Sequence, residues 1–529
     1  MIIPIIILLA TLENIWPIIA GYLATPKGYV FLGTIHHPGD YFYYLSQFTQ
    51  GSSRWFTARD LYTSELVPPT FVGWFNVLLG HLTHLAGIPP IPSYHLAVVL
   101  LTILLFTFAY FLARTMLRSY SLSGLALFLF ILYHAFPMFD HGVLTYSDYW
   151  NNYAVPLVRV GGVPHQLLTA ILSFGIVIAT IHSSTSKKYQ SIRLVALFLM
   201  GAALSSLQPV LWLMLTVVIG ISAITYGAIK RLHIKQLSIF CFPALFIGLG
   251  GIIPALYLSN LFRTEPFVQL RLWELSQNNQ LTALHFLLAT GPIFLIALFS
   301  LPSYLAKPSF ATLLNFFFPL FSFSLFLSPI PPLLGVTQVR FMSTLTILCV
   351  SIIAADGIGH VSAFLKTKLF YRPSVNRELI TFVLLIPLTL LLLPNHVKTL
   401  QLSTRFDPGN AYQYLSASDY RFVIQAGAIA RNQDDTFLVI WPYNVLFPGI
   451  TGDKSFNGHQ LLTIRAAQKD ALAQHVFDES LSSGEMERIL IDYRIRYVLA
   501  YTWTPKLSEL PILTPVIRTG TLVLYRVRK

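Results

Sequence analysis

Residues 31–50, FLGTIHHPGDYFYYLSQFTQ, decide the fold. They come soon after an apolar segment, residues 2–24, long enough to cross a bilayer, but are themselves too polar to be buried in lipid. Tyr41, Tyr43, Tyr44 and the run through Gln50 read as a short amphipathic helix outside the membrane. Pro38-Gly39 reads as a turn that sets Asp40 at the start of that helix, where exposed N–H groups favour negative charge. A carboxylate so placed can act simply as a cap. The rest of the chain makes Asp40 a candidate for chemistry.

Of the 529 residues, 55% are apolar and 11% charged. Globular domains carry about 25% charged residues, so most of this chain is expected to be solvated by lipid. Apolar windows able to span a bilayer lie near 2–24, 95–113, 121–138, 165–183, 192–208, 209–229, 237–258, 282–301, 311–329, 341–359 and 379–397. The bases between them set the topology. Arg114 and Arg118, then Lys187, Lys188 and Arg193, then Lys230, Arg231 and Lys235, then Lys307, and finally Lys366, Lys368, Arg372 and Arg377 occupy five short loops or their edges. Eleven crossings with the N-terminus inside make all five loops cytoplasmic. Topology thus explains most of the net charge of +13, which gives no reason to expect a nucleic-acid partner. Residues 2–24 lack a basic leader and an A-x-A-type cleavage site and are expected to remain as the first span. Cys241 and Cys349 fall in apolar spans, so neither a disulfide framework nor a metal-binding Cys pair is indicated.

Two stretches need a decision. Residues 71–88, FVGWFNVLLGHLTHLAGI, are apolar enough to span, but a crossing there would put Arg114 and Arg118 outside; they read as an interfacial helix. Residues 192–229 have basic flanks on both sides, so they must cross an even number of times, with the break at Gln208-Pro209.

The resulting outer loops are 25–94, 139–164, 259–281 and 330–340. They hold Asp40, Asp60, Glu65, Asp140, Asp148, Glu265 and Glu274, seven of the ten carboxylates before residue 398. Any acid–base chemistry of the membrane body (residues 1–397) therefore belongs on the outer face. From 398 to 529 the pattern becomes that of a small α/β domain, extracytoplasmic by parity. Helices are expected at 418–431, 462–476 and 484–491, strands at 436–441 and 495–501, and a hairpin at 513–517 and 521–525, with Pro515 marking an edge strand.

Three outer features could carry chemistry. The first is Asp40 with His36 and His37. The second is the loop PMFDHGVLTYSDYWNNYAVPLVRVGGVPHQ, with Asp140, His141, Asp148, Asn151, Asn152, Arg159 and His165. The third is Gln338-Val339-Arg340-Phe341, whose Arg340 at a helix mouth is costly without an anion and has a fork suited to phosphate. Each also has a plain structural role. Arg340 can snorkel to headgroups. Asp140 and Asp148 can form turns. Adjacent His36 and His37 rarely converge on one metal ion. Glu13, in mid-span, is expected to pair within the bundle. Lys454-Ser455 lacks the glycines of a phosphate loop.

With these features in place, the chain resembles integral-membrane glycosyltransferases of the GT-C superfamily, on the bacterial protein-mannosyltransferase and aminoarabinose-transferase-like branch. The resemblance rests on PGDYFYYLSQ in a long first outer loop, the Pro-Pro-led PPTFVGWFNVLLGHLTHLAGI, the cytoplasmic turn in FLARTMLRSYSLSG, and the outer Arg-Phe of RFMSTLTILCV. It extends to a soluble tail containing FLVIWPYNVLFPGITGDKSFNGHQ and YRIRYVLAY. It implies an inverting transferase that takes a sugar from a polyprenyl-phosphate donor and passes it to a hydroxyl on a glycan, lipid or protein. The setting would be the outer face of a bacterial cytoplasmic membrane. Asp40 would be the base, Asp148 or Asp140 the second-loop acid, and Arg340 the donor-phosphate ligand. Gln338, Tyr44, His37, Arg159 and His165 are further substrate-binding candidates. Many relatives carry Asp-Glu in the first loop where this chain has Asp40-Tyr41, which leaves use of Mg²⁺ or Mn²⁺ open and assigns no metal ligands. The competing classes are a lipid-linked glycan flippase and a non-catalytic envelope-assembly protein.

Overall fold

In the computed structural model the chain begins with α1 (Ile2–Leu23), β1 (Tyr29–Phe31), α2 (Pro38–Gln50), α3 (Trp74–Leu85), α4 (Pro90–Leu117) and α5 (Tyr120–Ile131). A two-stranded ribbon follows, β2 (Met138–Asp140) with β3 (Val143–Thr145). Then come α6 (Pro164–Thr185), α7 (Gln190–Leu207), α8 (Pro209–Lys230), α9 (Ile234–Leu261), α10 (Phe267–Ser276), α11 (Ala283–Tyr304), α12 (Phe310–Phe326) and α13 (Ile330–Leu333). A 3-10 turn (Gln338–Phe341) leads into α14 (Thr344–Lys368) and α15 (Arg377–Ser403). The C-terminal segment holds β4 (Tyr414–Ser416), α16 (Ala417–Ala428), β5 (Thr436–Val439), α17 (Tyr443–Thr451), β6 (Lys454–Ser455), α18 (Ala466–Phe477) and α19 (Ser483–Asp492). It ends with β7 (Ile495–Tyr501), α20 (Pro505–Glu509), β8 (Leu513–Arg518) and β9 (Leu522–Val527). The structure describes residues 2–140, 143–145, 162–185, 189–277, 282–368, 377–430, 432 and 434–528.

Each of the eleven apolar windows coincides with a helix, and nine of those helices are long and apolar enough to cross a membrane. The other two, α5 and α12, are shorter apolar helices of 12 and 17 residues. The structure thus supports nine spans by length among the described residues, against the eleven expected. The chain breaks between α7 and α8 at Gln208, as Pro209 requires: proline supplies no N–H and is tolerated only in the first turn of a helix. Residues 71–88 give only the 12-residue α3, about 18 Å long and too short to span.

The chain divides into two compact units. One comprises residues 1–15, 98–260 and 274–402. Its core is α14, whose Leu345, Leu348, Ile352, Ala354 and Ala355 have no exposed surface. It packs against α5, α11 and α12. Elsewhere in this unit bare apolar side chains such as Ile253 and Phe299 stand open, as lipid-facing residues do.

The other unit comprises residues 16–97, 261–273 and 403–529, so the C-terminal segment forms one body with the first loop. Its five-stranded sheet runs β6-β5-β7-β9-β8. β6, β5 and β7 are parallel, whereas β9 is antiparallel to both β7 and β8. β8, carrying Pro515, is an edge strand as the sequence required. Leu438, Phe456, Val476, Met486, Leu490 and Val498 build the core beneath it. Sequence reading missed β4, α17, β6 and α20. α17 contains Pro448 and Gly449, poor helix formers, and forms because it packs on α2. The helix expected from 462 begins only at 466, after Arg465 in a left-handed conformation (φ 57°). First loop and C-terminal segment are stitched together. β1 pairs antiparallel with β4, Thr49 Oγ1 donates to Gly449 O at 2.6 Å, and Ser455 N–H donates to Leu61 O at 2.8 Å.

Candidate active site

Pro38 opens α2, where its fixed φ suits a helix and its missing N–H is not needed. The expected Pro-Gly turn is therefore the first turn of the helix itself. His37 (φ −53°, ψ 121°) stands at the cap, and Asp40 lies within that first turn, exposed at the positive end of the helix dipole. Tertiary bonds hold the segment that leads into it. Leu32 N–H donates to Gln413 O at 2.8 Å, Thr34 Oγ1 to Tyr412 O at 2.6 Å, and Tyr41 Oη to Leu32 O at 2.7 Å. Gly33 has φ +86°, and a Cβ there would lie 2.4 Å from Tyr41 Oη, so glycine is required.

Rings crowd this end of α2. His36 Nε2 lies 3.3 Å from Tyr94 Oη, with its ring 5.6 Å from that of Tyr41 and 6.3 Å from that of Tyr44. Asp40 acts electrostatically on the phenols of Tyr43 and Tyr94. His459 is delivered from 400 residues downstream, with its ring 6.0 Å from Tyr43 and 5.7 Å from Tyr62. Gly39 borders both His37 and His459. Gly458 (φ +144°) makes the turn before His459, and a Cβ there would meet Asn444 O at 2.3 Å. Burial lowers the pKa of His459 to about 4, and neighbouring His37 acts in the same direction. The site thus offers an exposed carboxylate among imidazoles and phenols that can orient hydroxyl groups.

A second acid of the same loop is placed quite differently. Asp60 is buried (5% exposed); its Oδ1 accepts from Tyr62 N–H at 2.9 Å, while its Oδ2 has no hydrogen-bond partner. Burial raises its pKa to about 7, against the Tyr62 N–H bond and the charge of Lys469. Lys469, 1% exposed, donates to Thr63 Oγ1 at 3.0 Å and pairs with Glu65. Burial and then the carboxylates of Asp60 and Asp40 raise the Tyr43 phenol well above its ordinary value, opposed by a hydrogen bond with Gln47.

Arg340 and Gln338 belong to the other unit, in the 3-10 turn before α14. The anion Arg340 meets there is a carboxylate. Its guanidinium pairs with Glu274 of α10 and lies 3.5 Å from Gln208 Oε1, at the α7–α8 break. Neither Glu274 nor Gln208 was singled out as its partner from sequence. Asp140 ends β2, and His165 sits in the first turn of α6. Asp148 and Arg159 lie outside the described residues. Asp40, His37 and Tyr44 therefore share one helix end, while Arg340 and Gln338 share a turn in the other unit. Glu13 does pair within the bundle. It meets His396 Nε2, and His396 Nδ1 lies 2.9 Å from His134 Nε2. Among the described residues no three His, Cys, Asp or Glu side chains come together as a metal-binding group. Lys454 sits in β6 and donates to Ser64 O at 3.1 Å, a structural role.

No protein-family model matches this sequence, and no curated protein matches it. Solved structures do. The oligosaccharyltransferase AglB of Archaeoglobus fulgidus, in complex with an inhibitory peptide and a dolichol-phosphate, superposes with a TM-score of 0.55 at 10% identity, covering 94% of this chain and 69% of that one. An Archaeoglobus fulgidus oligosaccharyltransferase tethered to an acceptor peptide containing the NVT sequon gives 0.57 at 11% identity, with coverage of 94% and 69%. ArnT of Cupriavidus metallidurans, bound to undecaprenyl phosphate, gives 0.49 at 12% identity, covering 98% of this chain and 97% of that one. The chain thus shares its fold with these oligosaccharyltransferase structures.

Proposed function

We propose that this protein is a membrane glycosyltransferase that moves a sugar from a polyprenyl-phosphate carrier to an acceptor hydroxyl at the outer face, with Asp40 as general base. The observation that carries this reading is an exposed carboxylate in the first turn of α2, felt by the phenols of Tyr43 and Tyr94, with the His36 ring packed among Tyr41, Tyr44 and Tyr94 at the same helix end. That a structural neighbour was solved with a dolichol-phosphate supports a lipid-phosphate donor.

In the proposed reaction the Asp40 carboxylate takes the proton of the acceptor hydroxyl. The oxygen attacks the anomeric carbon, and the bond from that carbon to the phosphate oxygen breaks. Its electron pair leaves with the polyprenyl phosphate, inverting the configuration. Arg340 is assigned to the donor phosphate, where a phosphate oxygen would replace the carboxylate of Glu274 on the guanidinium fork. Asp148 or Asp140 would be the second-loop acid. His37, Tyr44, Gln338, Arg159 and His165 are proposed substrate contacts, and the C-terminal residues would act on the outer side.

The test uses purified protein and a panel of labelled polyprenyl-phosphate sugars. Asp40→Asn should keep the folded state and donor binding while transfer falls about 10²–10⁴-fold. Undiminished transfer in that variant rejects the assignment of the base. One observation favours transport instead: the hydrogen-bonded Glu13–His396–His134 chain is the kind of buried ionisable series that proton-coupled carriers use. Lipid-linked glycan flipping by protein in vesicles, abolished by Glu13→Gln and unaffected by Asp40→Asn, would establish that reading.

A further inference from the structure

The two most exposed tryptophans among the described residues, Trp441 (68%) and Trp503 (65%), lie at one edge of the C-terminal sheet. Trp441 comes two residues after β5 and Trp503 two residues after β7, and these strands are parallel neighbours. Both rings therefore emerge at the carboxyl ends of adjacent parallel strands, where open α/β sheets commonly bind ligands. Tyr501 links them: its ring stacks on Trp503 at 4.5 Å with planes 8° apart, and its Oη donates to Trp441 O at 3.5 Å. Tyr443 stands edge-on to Tyr501 at 6.3 Å, and Tyr412 edge-on to Trp441 at 6.4 Å.

Leaving so much aromatic surface in water is unfavourable unless something covers it. The polar groups woven into the cluster indicate what that is. Tyr443 Oη donates to Asp419 Oδ2 at 3.3 Å, and Thr521 Oγ1 to Asp419 Oδ1 at 2.6 Å. A bilayer-facing belt would be rimmed by bases for headgroup phosphates. Here the charge bonded into the cluster is a carboxylate, which repels phosphate and accepts hydrogen bonds from hydroxyls. Flat rings beside hydroxyl and carboxylate acceptors match a sugar ring, with its apolar C–H faces and its rim of hydroxyls. The cluster is also tied to the strap that feeds α2. Tyr412, the ring against Trp441, accepts from Thr34 through its carbonyl, and Thr34 lies six residues before Asp40 in the strap feeding α2.

We propose that Trp441, Tyr501 and Trp503, with Tyr443 and Asp419, form a carbohydrate-binding surface that holds a neutral, hydroxyl-rich glycan chain. This deepens the transferase reading by giving the acceptor as a glycan, but the binding itself needs no donor and no catalysis.

The test uses the full-length protein in nanodiscs, titrated without donor against soluble maltohexaose, cellohexaose, mannohexaose and chitohexaose and followed by tryptophan fluorescence and calorimetry. At least one should bind. Trp503→Ala and Trp441→Ala should each weaken that binding about tenfold, the effect of losing one aromatic stacking partner, with Trp503→Phe intermediate. Unchanged melting temperatures exclude unfolding, since both side chains are exposed. If Asp40→Asn still transfers sugar while the tryptophan variants lose binding, the assignment of Asp40 as base fails and this one stands. Failure of all four sugars to bind, or binding untouched by the tryptophan substitutions, overturns it. So does quenching by brominated lipids that vanishes in the Trp441→Ala/Trp503→Ala double variant, which would place the surface against the bilayer.

Discussion

Asp40 and Asp60 are twenty residues apart in the same loop and the same compact unit, yet their surroundings are opposite. Asp40 is open to solvent at a helix N-terminus, an environment that favours its charge. Asp60 is enclosed, with one oxygen unpartnered and its pKa raised to about 7. Matching pKa to working pH alone would choose Asp60 as the base, because general bases work best near the operating pH. Access decides the other way. A base must come within hydrogen-bond reach of the proton it takes, and a carboxylate only 5% exposed offers an acceptor little access. A perturbed acid marks a place where the fold has been strained, and only geometry says whether that place does chemistry.

The comparison is tested most severely by substituting the two acids in turn. Asp40→Asn should lower transfer about 10²–10⁴-fold, whereas Asp60→Asn should leave it within about threefold. Equal losses in both would remove the distinction. A second prediction concerns pH. Because the folded pKa of Asp60 lies above its unfolded value, its contribution to stability is fully present below about pH 4 and lost as pH rises to about 7. His459, lowered to about 4, has the opposite sign: its contribution is present above about pH 6.5 and lost as pH falls through about 4. Asp453, raised to about 7 by burial, acts in the same sense as Asp60. Thermal unfolding of wild type and Asp60→Asn between pH 4 and 8 should therefore diverge, the variant gaining on the order of 3–4 kcal/mol relative to wild type as pH rises. Parallel curves would mean that Asp60 is charged throughout.

Smaller effects refine the same contrast. Lys469→Met removes the cation beside Asp60 and Glu65. It should cost about 2–3 kcal/mol of stability, below the roughly 3–5 kcal/mol of a fully buried pair because Glu65 is partly exposed. Denaturant titration at pH 7 measures it. His37→Ala, at the helix cap near Asp40, should raise the acceptor KM about three- to tenfold with little change in kcat. A collapse of kcat instead would move His37 from substrate contact to the chemistry itself.

Much of this molecule was legible from its residues. Apolar length placed a helix at every expected span, Pro209 located the break between α7 and α8, and Pro515 marked the edge strand. The placement of Arg114 and Arg118 argued against a span at residues 71–88, where the chain forms only the short α3. These succeed because they rest on local properties: the cost of moving a polar group into lipid, a missing N–H, a helix length. The candidate site was legible only in part. The position of Asp40 on α2 was visible, but the helix starts two residues before it because Pro38 suits a first turn better than a preceding one.

What the sequence could not supply came from residues hundreds of positions apart. Nothing near Gly458-His459 announces that this imidazole reaches Tyr43, nor does the glutamate in α10 declare itself the partner of Arg340. The shared place of Asp40 and Asp60 in one loop hid the fact that Asp60 is buried beside Tyr62 and Lys469 while Asp40 stays exposed. By itself the sequence determined which segments must leave water, because that is a sum over neighbouring side chains. Tertiary packing alone decided which acids keep their water and which lose it, because desolvation depends on whatever long-range contacts bring to each carboxylate.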